Sequence, residues 1–188
     1  INDKEFKNLN NFYWFFSLDL KSSKQEVQSV ISNWIKRNYS YNDKCWSYDL
    51  IAKRNISWLS NHNLSYDGSD QDYKSDFNKI ILKQTNHLVN VVNKSKTLDD
   101  KLICCASIIL VGLCYQEEKK YLSFGISLLK KITKLSLENS GFPKSRNIKQ
   151  LIFYLKYFIL IREWFKESQN SVPELSLIHI SEPTRRDQ

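Results

Sequence analysis

The sequence predicts an all-α fold with no β-sheet, and three observations lead there. Glycine and proline are scarce, 4 and 3 residues of 188, so the chain lacks the breakers and tight turns that an antiparallel sheet needs. Apolar residues recur at three- and four-residue steps through most of the chain, and no stretch alternates with period two. The hydrophobic fraction is 41%, with 13% aromatic residues, which is enough to fill one substantial core.

The elements follow in order. Residues 6–20 are dense in aromatic side chains, and Phe12, Phe15 and Phe16 suggest a packed helix. Ser22-Ser23 followed by Glu26 forms a capping-box pattern ahead of Val27, Val30, Ile31 and Trp34, so 23–38 reads as an amphipathic helix. A polar, turn-like stretch separates it from 46–59, whose inner edge is expected at Leu50, Ile51, Ile56 and Leu59. Residues 61–72 are polar, contain Gly68 and read as a loop. A longer helix over 72–92 carries Phe77, Ile80, Ile81, His87, Leu88 and Val91.

Thr97 is placed to cap the next helix, with Asp99 and Asp100 in its first turn, where the helix dipole favours anions. That helix, to Tyr115, is apolar on most sides and is expected at the centre of the fold. Another spans 117–137 and stops at Asn139-Ser140-Gly141-Phe142-Pro143. Asn147 opens the last, which runs through Tyr154 and Phe158 to about 168. About seven helices joined by short connections imply antiparallel αα-hairpins, an arrangement shared by bundles, solenoids and α/α toroids.

The chain carries 28 Lys and Arg against 20 Asp and Glu, a net charge of +8. The cations are scattered in pairs without a dense block, which suits either solvated helix faces or attraction of a polyanion. Charge alone does not separate nucleic acid from acidic polysaccharide. No apolar run approaches the roughly 18 residues of a membrane span. Cys45, Cys104, Cys105 and Cys114 lack zinc-ligand spacing, and the last three read as small core residues in an apolar helix. No cofactor is implied.

Four stretches resemble the N-terminal helical region of heparinase II/III-like proteins, in an alphaproteobacterial branch. FYWFFSLDL at 12–20 is similar to an FxWLRDL opening, and WSYDLIAKRNISWL at 46–59 to WxPYxxxRRLxxWL. QTNHL at 84–88 carries Asn86-His87 where the family shows an Asn-His or His-His pair. GFPKSRN at 141–147 is similar to DGGHxSRNP. The resemblance spans nearly all of 6–174, in order.

It implies a partial α/α toroid over 1–174, followed in the family by a β-sandwich half, and cleavage of acidic polysaccharides by β-elimination. That reaction needs donors that stabilise the enolate-like state of a uronate and a Tyr or His that moves the C5 proton. On this resemblance Asn86 and His87 face the sugar carboxylate, and Arg146 and Asn147 line the same cleft. Trp46 and Tyr48 are candidates for stacking on sugar rings, and Tyr154 for the phenol. Relatives place a Tyr where this chain has Gln150, and Tyr154 lies one helical turn later. The alternative is a carbohydrate-binding or scaffold homologue without catalysis. The partner implied is an acidic polysaccharide rather than nucleic acid, and the resemblance points to the periplasm or cell envelope, with the cytoplasm left open.

Each candidate has a plainer use: Tyr154 as a core ring, Trp46 and Tyr48 as core packing, and Arg146 as a partner for a nearby helix end or carboxylate. His87 sits beside Leu88 and Val89 and suits a core position, while His62 suits the surface. Arg54 reads as a buried structural charge, or as one member of a helix-face pair with Asp49. Residues 175–188 stand apart. LSLIHISEPTR, from Leu175 to Arg185, resembles the in-frame translation of a sequencing-library adapter, so this tail is expected to be non-native and His179 is not counted as catalytic.

Overall fold

A computed structural model describes residues 2–18 and 23–173. The expected non-native tail lies outside them. Eight α-helices form among the described residues: α1 (Asp3–Asn11), α2 (Lys24–Asn38), α3 (Tyr48–Ser60), α4 (His62–Ser65), α5 (Gln71–Val91), α6 (Leu98–Cys114), α7 (Lys119–Ser136) and α8 (Ile148–Glu167). Short 3-10 helices occupy Tyr13–Ser17 and Val92–Lys94. The fold is all-α, and β pairing among the described residues is limited to an isolated bridge between Leu137 and Pro143. No helix is long and apolar enough to cross a membrane among the described residues.

Local chemistry sets the helix ends. Asn2 and Glu5 form a reciprocal capping box that opens α1. Ser23 Oγ accepts the Glu26 N–H at 3.3 Å to start α2. Asp70 does the same for Tyr73 in α5, and Thr97 for Asp100 in α6. Two departures from the sequence reading are local. The first aromatic stretch does not make one helix, because Phe12 turns left-handed (φ 56°) and the chain restarts as a 3-10 turn. The expected loop after α3 contains the single-turn α4, too short for any periodic signal.

The core is organised on α6, in which every residue from Leu102 to Leu113 is buried. It packs most extensively against α7 and α3, then against α8 and α5. Small residues allow the α6–α7 crossing. A methyl group at Gly112 would meet the Leu122 backbone nitrogen at 2.5 Å, and one at Gly125 would meet Ile109 Cγ1 at 2.6 Å. A second layer is aromatic: Phe12 packs edge-on against Trp58 (5.1 Å) and Trp34 (6.1 Å), and Trp58 lies 5.6 Å from Phe77.

Arg54 is wholly buried beneath this layer. Its guanidinium donates to Asn10 O (2.7 Å), Cys45 O (3.2 Å) and Gln84 Oε1 (3.3 Å), and its carbon lies 4.0 Å from the centroid of the Trp34 ring. Burial pushes its pKa down to about 9, which leaves it charged at neutral pH. The Asp49 pair does not form; Asp49 accepts from Ser47 Oγ at 2.8 Å, and Arg54 is directed to the three acceptors above. All four cysteines are free, and Cys114 is exposed at the end of α6 rather than buried like Cys104 and Cys105.

Candidate functional site

The side chains singled out from sequence fall into two groups. The first is built on α5. Lys83, His87 and Asn90 repeat at the i, i+4, i+7 spacing of one helix face, with the exposed Asn86 beside them. The turn between α2 and α3 folds over this face and brings Tyr39, Tyr41 and Trp46 to it. The His87 ring lies 5.3 Å from Tyr41 and 5.7 Å from Trp46. Lys83 Nζ sits 4.0 Å from the Tyr39 ring centroid and 5.7 Å from that of Trp46, and donates to the Tyr39 carbonyl at 2.8 Å.

Exposure separates the roles available here. Tyr41 and Tyr39 are 61% and 41% exposed and can offer ring faces to a ligand. Trp46 is 3% exposed and its indole N–H donates to the Asn38 carbonyl at 2.9 Å, so it backs the cluster rather than fronting it. His87 is half-buried, and burial, with a smaller effect from Lys94, holds its pKa below the usual histidine value. Both effects favour its neutral form. Tyr39, Tyr41 and Lys83 escaped the sequence reading. Their signal was an aromatic pair inside a polar turn, and the turn's docking on α5 is a tertiary contact.

The second group surrounds the start of α8. The loop before it closes through the Leu137–Pro143 bridge and a Glu138 N–H to Phe142 O bond of 2.8 Å, with Gly141 at φ 83° in the turn. Arg146 is exposed and also left-handed (φ 55°), and its Nη2 pairs with Glu138 Oε1 at 3.0 Å. Asn147 caps α8, its Oδ1 accepting the Lys149 N–H at 2.9 Å. Gln150 hydrogen-bonds Ser145 Oγ and donates to Asp99 Oδ1 at 2.8 Å.

Tyr154 is 1% exposed, and burial, reinforced by Asp99, pushes its hydroxyl up to about 12. Such a phenol is poorly suited to proton abstraction, because it is closed to solvent and hard to ionise. Tyr48 begins α3 and is half-buried. Burial raises its hydroxyl pKa, the Asp100 charge adds to this, and a hydrogen bond with Ser95 opposes it. The two groups share no member: Asn86, His87 and Trp46 belong to the α5 face, and Arg146, Asn147 and Tyr154 to the start of α8.

No group of three or more His, Cys, Asp or Glu residues that could hold a metal occurs among the described residues. Fold and site together define an all-α domain with an aromatic and cationic surface cluster. No family model, no curated protein and no solved structure matches the chain.

Proposed function

We propose that this chain is the saccharide-holding helical part of a heparinase II/III-like polysaccharide lyase, an array of antiparallel αα-hairpins of the α/α-toroid kind. An acidic polysaccharide lies along the α5 face. The cluster of Tyr39, Tyr41, Lys83 and His87 carries this reading. Flat, partly exposed rings stack on the apolar faces of sugars, and a neighbouring ammonium attracts the uronate carboxylate. Asn86 and Asn90 add hydrogen-bonding amides on the same surface, and the net charge of +8 favours a polyanion. The positions of Asn86 and His87 also match the resemblance in sequence.

In this reading the chain binds, and β-elimination is completed by groups of the full protein beyond it. Burial of Tyr154 and the presence of Gln150 in place of the family's Tyr favour a second reading, a non-catalytic carbohydrate-binding homologue. Incubating the full-length protein with a panel of uronate polymers and following ultraviolet absorbance of the unsaturated product separates the two. Absorbance growth supports the lyase; binding without product supports the binder. Under both, Lys83→Ala and Tyr41→Ala weaken uronate binding by about tenfold each, a loss of about 1.4 kcal/mol. Unchanged affinity in both variants would remove the proposed face.

A further inference from the structure

On another side of the fold, residues of α3, α4, the turn after it, α5 and the end of α6 line an open pocket of about 400 Å³. Trp58, Tyr66 and Phe77 give it aromatic walls, with ring centroids 5.6 Å apart for Trp58–Phe77 and 5.3 Å for Tyr66–Phe77. Its polar groups form an ordered chain. The Tyr115 hydroxyl donates to Asn78 Oδ1 at 2.7 Å, and Asn78 Nδ2 donates to the Tyr66 hydroxyl at 3.1 Å. With both earlier hydrogens committed, the Tyr66 O–H is left as the terminal donor. Trp58 Nε1, in a fully buried side chain of the lining, has no hydrogen-bond partner among the described residues but is closed off from the cavity, so the Tyr66 hydroxyl is the donor a ligand meets. The lining's one basic residue is His62, whose Nε2 lies 3.9 Å from Asp67 Oδ2.

The geometry points to a binding site for a small, planar, uncharged ligand, an aromatic ring bearing a carbonyl acceptor. Aromatic walls take the ring, the Tyr66 hydroxyl takes the oxygen, and the lining carries no Lys or Arg to receive a carboxylate. This site is separate from the α5 face, so either can fail alone.

Acetophenone and ethylbenzene share shape and differ in the acceptor, which makes them a matched pair of probes. Titrating each into the protein by NMR is expected to shift the Trp58 indole and Asn78 amide signals, with acetophenone binding about tenfold more tightly. Tyr66→Phe keeps the ring but removes the terminal donor, and is expected to reduce that preference while leaving ethylbenzene affinity unchanged. Cys114→Phe, at an exposed lining position, is expected to block both probes. Absence of shifts at Trp58 and Asn78, equal affinity for the two probes, or a preference unchanged in Tyr66→Phe would each overturn the assignment.

Discussion

At the residue scale, the chain holds a guanidinium in its interior using carbonyl and amide oxygens. Arg54 was legible as a buried charge, because a lone Arg sits within the apolar edge of α3. Its acceptors were not, since Asn10 and Cys45 are fixed only when α1 and the turn between α2 and α3 pack against α3. Replacing it with Met would leave the Asn10 and Cys45 carbonyls without their donor, and the expected loss is about 3 kcal/mol in urea denaturation. Lys is no rescue, because one ammonium does not reproduce a fork that reaches three acceptors.

His87 gives a pH prediction with a definite sign. Its folded pKa is depressed, so the unfolded chain binds the proton more readily. Stability from neutral His87 is complete above the ordinary value of about 6.5 and is lost as pH falls from there toward its lower folded pKa. Comparing melting temperatures of the native chain and His87→Gln at pH 7.5 and 5 isolates this loss from carboxylate titration. The variant is expected to lose less stability on acidification.

At the element scale, periodicity located all the longer helices, because each buries one stripe against α6 or the aromatic layer. It failed where an element is shorter than its own repeat, as in α4 and the 3-10 turn at Tyr13–Ser17. It is also uninformative about the faces of α8, which is apolar nearly all round yet leaves Ile148, Ile152 and Ile159 at 72%, 63% and 50% exposure. Ile152→Lys is therefore expected to change stability by less than about 0.5 kcal/mol, whereas Ile161→Lys, at a position 2% exposed, is expected to prevent folding.

The α6–α7 crossing is the most constrained contact between elements. Gly112→Ala forces a methyl into the Leu122 backbone, with an expected cost of about 2 kcal/mol in chemical denaturation. Gly68→Ala meets no atom within 4 Å and suffers only from its φ of 78°, so about 1 kcal/mol is expected there.

At the scale of the whole molecule, composition and periodicity sufficed for the all-α class and for a central α6. The candidate site was only half legible. Asn86 and His87 were singled out through the resemblance to a family Asn-His pair, but the rings that give His87 its setting come from a turn more than forty residues earlier. The family resemblance placed Arg146 and Asn147 along the cleft and offered Tyr154 as a phenol, with a core ring as its plainer use. Folding gives them structural partners: a buried hydroxyl beside Asp99, an ion pair with Glu138 and a helix cap. What remains for function is an exposed aromatic and cationic face on a positively charged domain.

The central claim is that this face holds acidic sugar, and a residue-resolved NMR titration with a uronic-acid tetrasaccharide at low salt tests it most directly. Saturable shifts confined to Tyr39, Tyr41, Lys83, Asn86 and His87, weakened by added salt and absent with a neutral tetrasaccharide, are the predicted result. Shifts elsewhere, none at all, or equal shifts with the neutral sugar would contradict it.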